Sequence, residues 1–271
     1  MQVLLLVAAI IALLLLAGIA AVALSLRSGA DGEDIALGRV FNGAFGAVKA
    51  NAKAFAATGL LLACLPTFLL HYTNYDARSG EVDLASGNFW VGSLPAMLIN
   101  YLLQAIIVSM TLDSLGGTSP SPGRSISLGL RRILPILVAT LLSYLAISLG
   151  LMLFVVPGLI LLTMWILLVP VIVAEGKGPL GSFGRSAELT KGSRWRIFGL
   201  MVILFVIQVG ALFLAGFVGT ALGGRVASAA AAAVSSGFSA ILLATFLASL
   251  YVELRRAKEG KSVDGLAEIF T

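Results

Sequence analysis

Few side chains in this sequence carry reactive groups, and most of those stand alone. His71 is the single histidine. Metal sites and general-base sets need partners, so His71, at the end of an apolar run, reads as an interfacial side chain. Asp76, Glu81 and Asp83 lack the spacing of a calcium loop and read as a solvated acidic stretch. Cys64 is the only cysteine, which excludes an intrachain disulfide and a thiolate metal site. Two groups have a spacing that could matter. Asn100, Gln104 and Thr111 sit at i, i+4 and i+11 and share one helical face. That face suits hydrogen bonding between helices or, alternatively, a polar path through a passive pore. No Asp, Glu, Lys or Arg falls near the centre of an apolar run, which argues against ion- or proton-driven transport. The second group is Glu175 with Arg185, Lys191, Arg194, Trp195 and Arg196. Here the spacing predicts an interfacial ion pair from Glu175 to Lys191, Arg194 or Arg196, with Trp195 at headgroup level. The set reads as a folding clamp or, alternatively, as a lipid-headgroup site. Neither group is a catalytic constellation, and no cofactor or metal is indicated.

The elements that must position these residues are membrane helices. Of 271 residues, 59% are hydrophobic and 11% charged, against about 25% charged in a soluble domain. Between Arg132 and Glu175 lie 42 residues (174 − 133 + 1) without a charged side chain. One helix of that length would measure about 63 Å, twice a hydrocarbon core of about 30 Å. Two spans, 133–155 and 158–174, therefore turn back at Pro157-Gly158. Further spans are predicted over 1–26, 54–71, 89–112, 197–222 and 226–252. The fold class is all-α, a polytopic bundle of about seven transmembrane helices: one N-terminal span (1–27), a linker and amphipathic helix (28–53), a six-helix core (54–252) and a polar tail (253–271). Segments 35–53, 125–132 and 179–191 each precede a pair of spans and read as in-plane amphipathic elbows. Pro179 opens the last of them and Gly192 closes it. This is a weak threefold repeat.

With the N-terminus outside, sixteen of the eighteen Lys and Arg residues fall on the cytoplasmic side, leaving only Arg78 and Arg225 outside. The positive-inside rule asks for that asymmetry. The net charge of +5 is thereby assigned to membrane orientation and not to nucleic acid. Ala211, Ala215 and Gly219, then Ala229, Ala233 and Gly237, then Ala240, Ala244 and Ala248, form small-residue ridges that let helices approach closely.

Pro157-Gly158, Trp165, Pro170-Val171, Glu175-Gly176, Ser186, Leu189-Thr190-Lys191-Gly192, Trp195-Arg196 and Phe198-Gly199 resemble a bacterial membrane family. It is the membrane domain found beside glycerophosphoryl diester phosphodiesterases, with the related YciC-like proteins. The resemblance covers about residues 35–270 and implies six membrane helices with amphipathic elbows in a bacterial inner membrane, without an established activity. The span over 1–26 and the lack of a phosphodiesterase domain depart from it. The expected function is a non-enzymatic scaffold or accessory subunit, with membrane lipids and other membrane proteins as partners. The alternative is a passive transporter, channel or lipid-handling protein.

Overall fold

The computed structural model describes residues 37–76, 81–82 and 87–260. Helix α1 (Leu37–Ala50) is amphipathic and buries Val40, Ala44 and Ala47. Helices α2 (Ala52–Gly59) and α3 (Leu65–Asn74) join through one π turn, Leu60–Cys64, into a single rod. Pro66 has no N–H for the carbonyl of Leu62, and the wide turn, closed by Leu65 N–H on Leu60 C=O, takes up the mismatch. A two-residue antiparallel ladder, β1 (Tyr75–Asp76) with β2 (Glu81–Val82), leads to α4 (Gly87–Leu115). The remaining helices are α5 (Pro122–Leu153), α6 (Val155–Met164), α7 (Leu168–Glu175), α8 (Pro179–Thr190), α9 (Arg194–Leu222) and α10 (Gly224–Glu259).

Among the described residues six rods are long and apolar enough to cross a membrane: Ala52–Asn74, Val91–Leu115, Pro122–Leu153, Val155–Glu175, Arg194–Leu222 and Gly224–Glu259. The chain is thus an all-α polytopic bundle of three hairpins. The expected seventh span, 1–26, lies outside the described residues, as does the end of the tail. Segment 125–132 is not a separate elbow. It is the first part of α5, which at 32 residues is about 48 Å long and overshoots a single span.

The uncharged run 133–174 does fold as a hairpin, but its turn is at Phe154, in extended conformation (φ −155°, ψ 138°), and not at Pro157-Gly158. Pro157 sits in the first turn of α6, where its missing N–H has no helical partner to lose. Gly158 is needed for a different reason. A Cβ there would lie 2.4 Å from Leu151 Cγ, and Gly150 packs closely against the Gly158 backbone. At the other end of the hairpin, Arg132 Nη1 donates to Gly176 C=O at 3.1 Å. The arms match in length between these contacts (150 − 132 and 176 − 158, eighteen residues each).

The second arm breaks at 165–167. Pro170 cannot donate to the carbonyl of Ile166, so the ladder fails one turn upstream. Backbone freed inside a membrane must find partners in the protein, and α8 supplies them. The Ser186 hydroxyl donates to Met164 C=O (2.6 Å) and accepts from Leu167 N–H (3.3 Å). Phe183 packs edge-on to Trp165, centroids 4.8 Å apart. After the left-handed Gly176 (φ 65°), α8 therefore folds back antiparallel along α7. As a result every residue from Leu168 to Ala174 is buried, wrapped by α4, α5, α8 and α10. The densest core lies among the C-terminal parts of α4, α7 and α10. The opposite ends of α9 and α10 expose Leu212, Phe213, Phe217 and Val234, a surface that suits lipid as solvent.

Candidate functional site

Among the described residues three carboxylates stand towards the ends of α4, α7 and α10, Asp113 and Glu253 buried and Glu175 largely so, and each is met by an arginine from another helix. Asp113, whose side chain is 0% exposed, pairs with Arg124 at the start of α5. Glu253 accepts two hydrogen bonds from Arg39 Nε of α1 (2.9 and 3.0 Å). Glu175 accepts from Arg185 Nε of α8 at 2.9 and 3.1 Å. Arg39 and Arg185 lie within two of the three repeat segments, 35–53 and 179–191, whereas Arg124 lies just before the third, 125–132, in the first turn of α5.

The Glu175 clamp is the most elaborate. Its carboxylate also takes Tyr251 OH (3.0 Å) and Lys177 Nζ (3.2 Å). Arg185 reaches onward to Glu259 and to Glu188 (3.2 Å), and Arg255 Nε closes the network on Glu259 at 2.9 Å. Residues from α7, α8 and α10 are therefore tied into one unit. Burial works against charge on Arg185, but its bonds to Glu259, Glu175 and Glu188 outweigh it and raise the guanidinium above its ordinary range. Arg39 is raised too, chiefly by its hydrogen bonds to Glu253. Both arginines stay charged at any ordinary pH.

Glu175 does not pair as its spacing to Lys191, Arg194 and Arg196 predicts. Helix α8 is about 18 Å long and carries those residues away from the end of α7, whereas Arg185 stays beside it. Lys191 is exposed at the end of α8, Arg194 and Arg196 are half-buried, and Trp195 is 66% exposed. Ser186, Thr190, Tyr251 and Glu259 join the site without being among the residues that spacing selects. For Ser186 and Thr190 the available signal is their i, i+4 spacing on one face of the elbow. For Glu259 the local signal is its i, i+4 spacing from Arg255, but the bonds that bring Tyr251 and Glu259 to the clamp reach residues over seventy positions away.

The Asn100, Gln104 and Thr111 face is not brought onto one surface. Asn100 is exposed, Gln104 half-buried, and Thr111 fully buried with its hydroxyl donated to Ile107 C=O at 2.7 Å. A different polar strip lies in a cleft of about 580 Å³ between α3, α9 and α10. Thr67, His71, Gln208, Ser235, Ser236 and Ser239 line it among apolar walls. Among the described residues no group of His, Cys, Asp or Glu is arranged to hold a metal ion; Asp83 lies outside them. Of the small-residue ridges, Ala229, Ala233 and Gly237 close internally, Gly237 against Cys64. Ala211 and Ala215 of α9 instead border an open apolar groove of about 530 Å³ with Ala227, Ala230 and Ala231 of α10.

No family model, curated protein or solved structure matches this chain.

Proposed function

We propose that this is a non-enzymatic, multi-spanning membrane protein that serves as a scaffold or accessory subunit of a larger membrane complex. One observation carries the reading: Asp113, Glu175 and Glu253 are each engaged by an arginine that holds one helix to another. Their charge is committed to architecture. The alanine-lined groove of α9 and α10 offers a close-packing face to a helix of another membrane protein. The reading places the chain in a bacterial inner membrane with its clamped end in the cytoplasm, supported by the distribution of Lys and Arg. The resemblance to YciC-like membrane domains belongs to the same proposal, since Gly158, Glu175-Gly176 and Ser186, which carry it, all hold structural positions here. Blue-native electrophoresis after mild extraction from the native membrane tests it. A species larger than the chain, dispersed by Ala211→Leu with Ala215→Leu, supports the scaffold reading. A strictly monomeric protein with turnover of its own contradicts it.

The cleft between α3, α9 and α10 favours a second reading, a lipid-handling protein. On this reading the Asn100 face is not the route. Asn100→Leu with Gln104→Leu should leave lipid exchange between the leaflets of reconstituted vesicles unchanged, and loss of exchange would move the route back to that face.

A further inference from the structure

Only part of the polar strip in the cleft is used by the fold. Thr67 Oγ1 donates to Ser236 Oγ at 3.0 Å, and a serine can return its proton to a carbonyl of its own helix. The imidazole of His71 and the amide of Gln208 make no such bond. Among the described residues no hydrogen bond reaches His71 or Gln208, although both line the cleft. Unpaired polar groups are costly where no water competes for them.

Depth decides what these groups can bind. His71 is three residues from the end of α3 at Asn74. Gln208 is fourteen residues from either end of α9 (208 − 194 and 222 − 208), so the strip runs from the end of one span to the middle of another. No Asp, Glu, Lys or Arg lines the cleft, and a phosphate drawn to mid-span would have no counter-charge. An uncharged ester or hydroxyl has no such penalty once it is hydrogen-bonded. The remaining walls, with Met201, Leu204, Phe205 and Leu243, suit a hydrocarbon chain, and the volume is that of an ordinary small-ligand site.

We propose that this cleft binds a neutral glycerolipid of the diacylglycerol class, its ester or hydroxyl oxygens on His71 and Gln208 and an acyl chain along the apolar walls. The inference deepens the lipid-handling reading by naming the ligand. A protein that binds diacylglycerol but moves no lipid would leave the site standing while that reading fails.

The full chain is reconstituted in phosphatidylcholine vesicles containing a minor fraction of diacylglycerol with a diazirine in its acyl chain. After irradiation, adducts are mapped by tandem mass spectrometry. Mapped to single residues, labelling should concentrate on Met201, Leu204, Gln208, Ser239 and Leu243 of the cleft wall. It should fall about ten-fold in His71→Leu with Gln208→Leu, as expected for one or two lost hydrogen bonds, while lipid-facing labelling at 213–217 persists. Diazirine phosphatidic acid should label only lipid-facing positions such as Phe213 and Phe217. Should the double variant fail to fold, competition by unlabelled diacylglycerol on the wild-type chain decides the question: loss of cleft labelling supports the site, and undiminished labelling rejects it. Four further results would overturn the proposal: cleft labelling no higher than at 213–217, labelling equal in variant and wild type, equal labelling by phosphatidic acid, or cleft labelling that arises only after residues 1–36 are removed.

Discussion

Arg185 holds two acids at once, and its worth can be set against that of Arg39. The Arg185 side chain is 12% exposed and faces Glu175 and Glu259. Arg185→Ala leaves Glu175 with Tyr251 and Lys177 and Glu259 with Arg255 alone, and removing one partner of a poorly solvated pair costs up to about 3–5 kcal/mol. Arg39 is 57% exposed and Glu253 keeps other contacts, so screening holds the cost of Arg39→Ala to about 1 kcal/mol. Equilibrium unfolding in mixed micelles should rank the two variants in that order. Arg185→Lys should recover only part of the loss, because an ammonium cannot span both acids with a planar fork. The sequence points to Glu175 as an anchored acid but assigns it the wrong cations. Partner choice depends on the direction in which the chain leaves Gly176, a property of one left-handed residue that local spacing does not encode. The Arg39–Glu253 pair joins residues 214 positions apart and has no signal in the sequence at all.

Helix α7 depends on another element for its existence. It is eight residues long and buried on every side, far too short to hold by its own propensity, and it follows a backbone break. Ser186 spans that break with one hydrogen bond given and one received. Ser186→Ala leaves the Leu167 N–H unpaired and the Met164 carbonyl with only the long bond from Thr190 at 3.4 Å, at about 1–3 kcal/mol for the N–H alone. Hydrogen exchange should show α7 and α8 losing protection together in this variant, while α4 and α10 keep theirs. Loss of protection spread evenly over all helices would mean that α8 is not the specific support of α7. The spans themselves are legible in the sequence, because 42 uncharged residues allow little else. The site of the turn is not. Pro157-Gly158 is a strong turn signal, yet Pro157 is tolerated in a first turn and Gly158 is required by the close approach of Leu151. The break at 165–167 has a visible cause in Pro170. Its repair by a serine about twenty residues later has none.

At the scale of the molecule, two amphipathic helices, α1 and α8, and the first turn of α5 present arginines to acids at one end of the six described rods, and the proposed orientation turns that end to the cytoplasm. Hydropathy reveals the rods and the cation count suggests the orientation, whereas the pairing of each arginine with its acid emerges only from the packing. Orientation is tested most directly by placing single cysteines in a Cys64→Ala background. Gly123 and Gly178 have open space for a Cβ, and Arg256 and Ala221 are exposed. A membrane-impermeant maleimide applied to intact cells and to inverted vesicles should modify Gly123→Cys, Gly178→Cys and Arg256→Cys only in the vesicles, and Ala221→Cys only in the cells. Labelling of Gly123→Cys and Gly178→Cys from opposite sides would contradict the arrangement outright.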